Sequence, residues 1–275
     1  MVVNDRLKAS IDVRTRTAAF YRDVIQALEE EEIPFLLGGA FAFEVYTDIG
    51  GHTKDLDLFL LPADVRPTTM AMRRRGYETE VKARHWLAKI LSGNDFVDVV
   101  FGSGNGLAVV DEAWFEHARP AEVLGHEVRL IPIEEMLWSK SFIQERERYD
   151  GADVAHLIRV AGRTMDWRRL VDRYDRFWPV LLAHLILYDF SYPSERGRIP
   201  EWVRGELMDR ARSGEVDRDV IENEVCFGTI LSRAQYLPDV EGLGYRDGRL
   251  QPYGNLTEED LAQETARMRK ELAEH

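Results

Sequence analysis

The chain has 275 residues, with 12 Phe, 10 Tyr and 6 Trp, enough for one large domain or two modest ones around a sizeable core. A formal net charge of −13 works against bulk nucleic-acid binding, which depends on neutralising phosphates. The single cysteine, Cys226, excludes an internal disulfide and any Cys/His zinc spacing, and it reads as a small apolar filler in a reducing compartment.

Short strand-like runs alternate with helices up to about Pro132, and the pattern beyond is almost entirely helical. Arg14 to Glu32 reads as a helix and Pro34 to Gly38 as a short buried strand. Gly38-Gly39 turns the chain into a short helix, Ala40 to Thr47, which Gly50-Gly51 stops. Asp55 to Leu61 is a strand, and Asp64 to Arg75 a helix closed by Gly76. Tyr77 to Val81, Trp86 to Leu91 and Phe96 to Phe101 are further strands, the last two joined by a tight turn at Ser92-Gly93-Asn94. A glycine-rich connector follows, then a helix over Asp111 to Ala118 and a strand over Glu127 to Ile131.

From Pro132, a favourable first residue, a helix is expected to run to about Tyr149. Further helices are expected over Asp153 to Val160, Asp166 to Phe177, Val180 to Tyr188 and Glu201 to Arg212. His156 and His184 read as core or interface residues, and Trp167, Tyr174, Phe177 and Trp178 as core. Asp239 to Asn255 reads as a loop. Thr257 and Asp260 form a capping pattern before a loosely attached last helix. The first ten residues lack an apolar run, and Val180 to Leu187, interrupted by His184, is far short of the roughly 20 residues that span a bilayer. A cytoplasmic protein without membrane contact is expected.

Chemistry concentrates in Asp55-Leu56-Asp57-Leu58-Phe59-Leu60-Leu61. Residues two apart on a strand share a face, so Asp55 and Asp57 point one way and the leucines the other, into a core. Side-by-side carboxylates repel unless a cation lies between them, and a hard divalent ion with oxygen ligands, such as magnesium, resolves this. Asp98 sits inside the apolar run Phe96 to Phe101, where a charge is costly without a partner. Asp95 has an ordinary role as a turn residue. Three such carboxylates suit two metals about 3.5–4 Å apart. No G-x-x-x-x-G-K-S/T sequence is present, so a P-loop is excluded. A phosphatase of the haloacid-dehalogenase type would place the apolar strand before the acidic pair. A glycosyltransferase would need a longer α/β unit upstream.

Gly38-Gly39, a short helix, Thr53-Lys54-Asp55-Leu56-Asp57 and the later strand aspartate together resemble the DNA-polymerase-β-like nucleotidyltransferases, over about residues 33–101. The resemblance implies that Asp55, Asp57 and Asp98 are catalytic and hold two magnesium ions, one gripping a nucleoside triphosphate and one activating the acceptor. Gly38 and Gly39 would open the backbone to the phosphates, with Thr53 and Lys54 on the nucleotide side; many members carry Gly-Ser where this chain has Gly38-Gly39. His52, in the same loop, is a surface residue or touches a substrate. The implied fold is α+β: a small mixed sheet flanked by helices over residues 1–131, then a helical domain over 132–275.

In the helical half, Trp138-Ser139-Lys140 and Arg146-Glu147-Arg148-Tyr149-Asp150-Gly151-Ala152-Asp153 resemble a motif of minimal two-domain members, including the toxins of type IV abortive-infection systems, over about residues 132–158. This implies phosphate contacts from Lys140 and Arg148, a toxin or defence role and an antitoxin partner. The local reading is different. Arg146, Asp150 and Asp153 share a face of a continuous helix and would pair as ions, and Lys140 would snorkel past the apolar stripe of Ile133, Met136, Leu137 and Ile143. The acceptor stays open between RNA, a protein side chain and a small molecule such as an aminoglycoside or lincosamide. The alternative function is a nucleotide-sensing or partner-binding module without catalysis.

Overall fold

The computed structural model describes residues 7–8, 15–50 and 55–273. The chain divides into two compact units, the first made of Met1–Gly104 and Val109–Pro132, the second of Asn105–Ala108 and Ile133–His275.

The first unit contains, in chain order, β1 (Leu7–Lys8), α1 (Thr15–Glu30), β2 (Leu36–Leu37), α2 (Gly39–Thr47), β3 (Leu56–Phe59), α3 (Val65–Arg74), β4 (Glu78–Ala83), β5 (Leu87–Ser92), β6 (Asp95–Val100), α4 (Glu112–Glu116), β7 (Arg119–Val123) and β8 (His126–Leu130). The strands form one mixed sheet in the order β1-β7-β8-β2-β3-β6-β5-β4. β1 with β7, β2 with β8 and β3 with β6 are parallel pairs, and the other pairs are antiparallel. Strand parity sets the core. Leu56, Leu58, Val97, Val99 and Ile90 are fully buried on one face, each stabilising the fold by about 1.5–3 kcal/mol. Tyr21, Val24, Ile25 and Leu28 of α1 recur at helical spacing and are also fully buried.

This sheet is larger than the small one expected, because two strands escape sequence reading. β1 has only two residues, too few for a period. β7 carries Pro120, which ordinarily demotes a run from strand status. Here the two β1 pairs fall on Ala121 and Glu122, beyond the proline, so the missing N–H breaks no rung there.

The second unit is helical: α5 (Ile133–Ser141), α6 (Gly151–Ala161), α7 (Trp167–Tyr174), α8 (Trp178–Ser191), α9 (Glu201–Ser213), α10 (Arg218–Glu222), α11 (Gly228–Leu231), α12 (Leu237–Gly242) and α13 (Glu258–Ala273), with a two-strand pair of β9 (Val225–Cys226) and β10 (Arg246–Asp247). The expected helix to Tyr149 stops at Ser141. A bridge between Gln144 and Tyr149 and a bond from Asp150 N–H to the Ile143 carbonyl fold 142–150 into a loop. Ile143 therefore leaves the helical stripe. The expected loop over Asp239 to Asn255 contains the end of α12 and β10.

The last helix is not loosely attached. Glu264 of α13 is buried and pairs with Arg233 and Arg267, and Met268 is buried as well. Thr257 and Asp260 cap it as their spacing predicts, Asp260 N–H donating to Thr257 Oγ1 at 3.2 Å. Trp167, Tyr174, Trp178 and His184 are core residues. Among the described residues no helix is long and apolar enough to cross a membrane.

Candidate active site

Gly38 follows β2, and its N–H donates to the Asp57 carbonyl at 3.0 Å, tying the glycine turn to the acidic strand. Neither glycine position admits a side chain. A Cβ on Gly38 would lie 2.2 Å from the Phe59 ring, which is itself stacked on Trp114. A Cβ on Gly39, where φ is +57°, would lie 1.7 Å from Asp57 Oδ2. A serine here, as in many members of the resembled family, would meet the Asp57 carboxylate in its present position. The Gly38 N–H is already engaged, so an anion at this turn would meet the amides of the first turn of α2.

The parallel pairing of β3 and β6 sets Asp57 directly opposite Asp98. Paired residues on neighbouring strands share a face, and Asp55, two residues before Asp57, lies on it too. The antiparallel pairing of β5 and β6 then sets Lys89 opposite Asp98. Lys89 Nζ lies 2.6 Å from Asp98 Oδ1 and 3.7 Å from the centre of the Phe96 ring.

Burial pushes the Asp98 carboxyl above the ordinary range; Lys89 pulls the other way and Asp55 adds to the rise. Like-charge repulsion, the cause expected from sequence, is therefore the lesser contributor. Tyr21 of α1 feels the same cluster. Burial, then Asp55, Asp95, Asp57 and Asp98, raise its hydroxyl far above the usual value, so it stays neutral. Asp95 itself accepts a hydrogen bond from Thr17 at 3.0 Å.

Among the described residues no three Asp, Glu, His or Cys side chains are gathered into a metal cage. The donor set nevertheless suits a hard cation. All its ligands are carboxylate oxygens. Asp98 Oδ1 is buried and meets the Lys89 ammonium at close range without a well-aligned hydrogen bond, and Gly39 keeps the space beside Asp57 clear.

The other expected site residues divide into two groups. Thr53 and Lys54, with His52, lie outside the described residues. Lys140 and Arg148 sit in the second unit in an ion-pair network. Lys140 Nζ donates to Asp150 at 2.9 Å and to Asp153 at 2.7 Å, and Arg148 grips Asp150 through two bonds of 2.9 Å. The cluster expected around Arg146 on a continuous helix is thus built on Lys140 and Arg148 across a loop. Burial works against an ionised Asp150, yet Arg148 and Lys140 hold its carboxyl below the ordinary range.

Lys89 was missed in the sequence, although the signal was present. It is the one charge in Trp86 to Leu91, and a two-residue turn at Gly93-Asn94 pairs 92 with 95 and hence 89 with 98. Tyr21 had no signal beyond its place in an apolar stripe.

The profile of a family described as "uncharacterised nucleotidyltransferase" matches residues 4–187, about two thirds of the chain. The chain belongs to this nucleotidyltransferase family. Among solved structures, the fold is similar to the lincosamide antibiotic adenylyltransferase LnuA in its lincomycin-bound form (15% identity, TM-score 0.38, 53% of this chain and 98% of that one). It is similar to the antibiotic-resistance factor ANT(2'')-Ia (15%, 0.39, 73% and 96%). It is also similar to an antigenic nucleotidyltransferase-like protein from Paracoccidioides brasiliensis (14%, 0.41, 66% and 93%). No curated protein matches the chain.

Proposed function

We propose that the protein transfers a nucleoside monophosphate from a nucleoside triphosphate to an acceptor, with catalysis on residues 1–131 and Asp55, Asp57 and Asp98 as the acidic centre. The observation that carries this reading is the register that sets Asp57 opposite Asp98, with Gly39 clearing the space beside them. The three carboxylates would hold two magnesium ions, which supply charge neutralisation for the triphosphate and acidify the acceptor hydroxyl.

The chain's own groups do the rest. The amides of α2's first turn, at the positive end of the helix dipole, face phosphate oxygens. Asp98, whose carboxyl is raised by burial, takes the proton as the acceptor oxygen attacks the α-phosphorus. The bond from the α-phosphorus to the bridging oxygen breaks, and pyrophosphate leaves. The resemblance assigns Thr53 and Lys54 to the nucleotide side.

The acidic net charge favours a small molecule or a protein side chain over RNA as acceptor. The resemblance over residues 132–158 supports a toxin or defence role in the cytoplasm, with an antitoxin as partner. The test is to incubate the protein with each α-labelled nucleoside triphosphate, magnesium and cell extract, then separate RNA, protein and small molecules. Label should enter one fraction, require magnesium and vanish with Asp57→Asn. Nucleotide binding without transfer to any fraction would sink the proposal in favour of a sensing module.

A further inference from the structure

Lys89 has no assigned role, yet it stands where the acidic centre would bind its cation. It is buried along most of its length, its side chain 20% exposed, and its ammonium contacts Asp98 Oδ1, the carboxylate across from Asp57. The neighbouring groups leave it committed to that contact. Glu80, next to Lys89 in the same cross-strand row, is already paired with Lys82 at 2.7 Å. The Phe96 ring lies beneath the ammonium at 3.7 Å and offers a second, weaker seat.

We propose that Lys89 is a built-in competitor of the divalent metal: its ammonium holds Asp98 in the metal-free protein and must be displaced before metal binds. This rests on the reading of Asp55, Asp57 and Asp98 as metal ligands. A lysine suits such an exchange because it is a compact point charge on a flexible stem. When it swings away from Asp98, the ammonium reaches water and keeps the aromatic face, so release is graded and reversible. An ammonium this close to a divalent ion would be strongly repelled, so the two cations exclude each other at Oδ1. Lys89 then sets the metal concentration at which the centre loads, and it keeps Asp98 in place when no metal is bound.

The experiment measures Mn2+ binding to the nucleotide-free full chain by the loss of the free-ion EPR signal, with Asp57→Asn subtracted as background. Lys89→Met, which keeps length and removes charge, should bind Mn2+ roughly 10-fold more tightly than the parent. Lys89→Gln should shift the same way, and it serves if the Met variant does not fold. Lys89→Arg, which keeps the positive charge, should not gain the tighter binding. Adding Asp98→Asn to the parent and to Lys89→Met should abolish the difference between them. Equal or weaker binding by Lys89→Met and Lys89→Gln would overturn the proposal while leaving the metal reading intact. No saturable, Asp57-dependent binding in any variant would overturn both.

Discussion

Two aspartates with little exposed surface, each touched by a lysine, behave in opposite ways. Asp150 is the less exposed, at 8% against 15% for Asp98, yet its carboxyl is held below the ordinary range while that of Asp98 is held above it. The difference lies in compensation. Asp150 receives a forked pair of bonds from Arg148 and one from Lys140, and Lys140 is itself anchored by Asp153. Asp98 has one ammonium against one oxygen, with Asp55 adding repulsion. A fully compensated buried charge belongs to the architecture. An under-compensated one retains an appetite for a further cation, and perturbed groups of that kind cluster at functional sites.

The largest test of this contrast is Asp57→Asn. It removes a charge at nearly constant shape, and transfer should fall by orders of magnitude with the melting temperature little changed; normal turnover with the correct substrates would break the assignment. Next, Gly39→Ala drives a methyl group into the Asp57 carboxylate at a positive φ. A displacement of that kind should cost roughly 100-fold in kcat/KM, with circular dichroism unchanged.

A matched pair then compares the two aspartates directly by denaturant unfolding without metal. Asp150→Asn should lose about 2 kcal/mol at pH 7. The folded pKa of Asp150 lies below its unfolded one, so its stabilisation is present above the ordinary carboxylate pKa and is lost as pH falls through the folded pKa. Asp98 has the reverse sign. Its contribution is present below the ordinary value and lost as pH rises through the folded one, so Asp98→Asn should unfold no earlier than the parent at pH 7. A marked loss of stability from Asp98→Asn would dissolve the contrast.

The smallest effect concerns His184. Burial lowers its pKa, and its Nε2–H donates to the Ser141 carbonyl at 2.8 Å, which only partly offsets the burial. A depressed folded pKa means stability is complete above 6.5 and is lost as pH falls below it, by about 1.4 kcal/mol per pH unit until the folded pKa is reached. Unfolding of the parent between pH 7.5 and 5 should show this slope, and His184→Gln should flatten it.

The acidic face was legible because it needs only a strand's two-residue period: Leu56 and Leu58 have to be buried, which turns Asp57 outward. The glycine pair was legible as a turn, and Asp98 as a charge in an apolar run. What was hidden depends on distant pairing. Nothing local says that β3 lies beside β6 across the intervening α3, β4 and β5, and that adjacency sets the Asp57–Asp98 register. The helix from Pro132 was overrun because Arg146 to Tyr149 have helical propensity, while the break is decided by the Gln144–Tyr149 bridge and by Asp150 finding its cations. Lys89 was within reach of hairpin arithmetic, but a single lysine on a strand is ordinarily a solvated one, and only the register with Asp98 marks it as different.

β4 closes one end of the sheet, and its sequence has a consequence for how the protein keeps to itself. An edge strand is a row of unpaired amides and carbonyls that invites a second chain. β4 runs Glu78-Thr79-Glu80-Val81-Lys82-Ala83, charged at three of six positions and exposed on both faces over much of its length. A bulge between Val81 and Ala83 bends it out of line. The strand at the rim of the sheet thus acts as a guard rail: it lets an eight-stranded sheet end in water without becoming a template for aggregation.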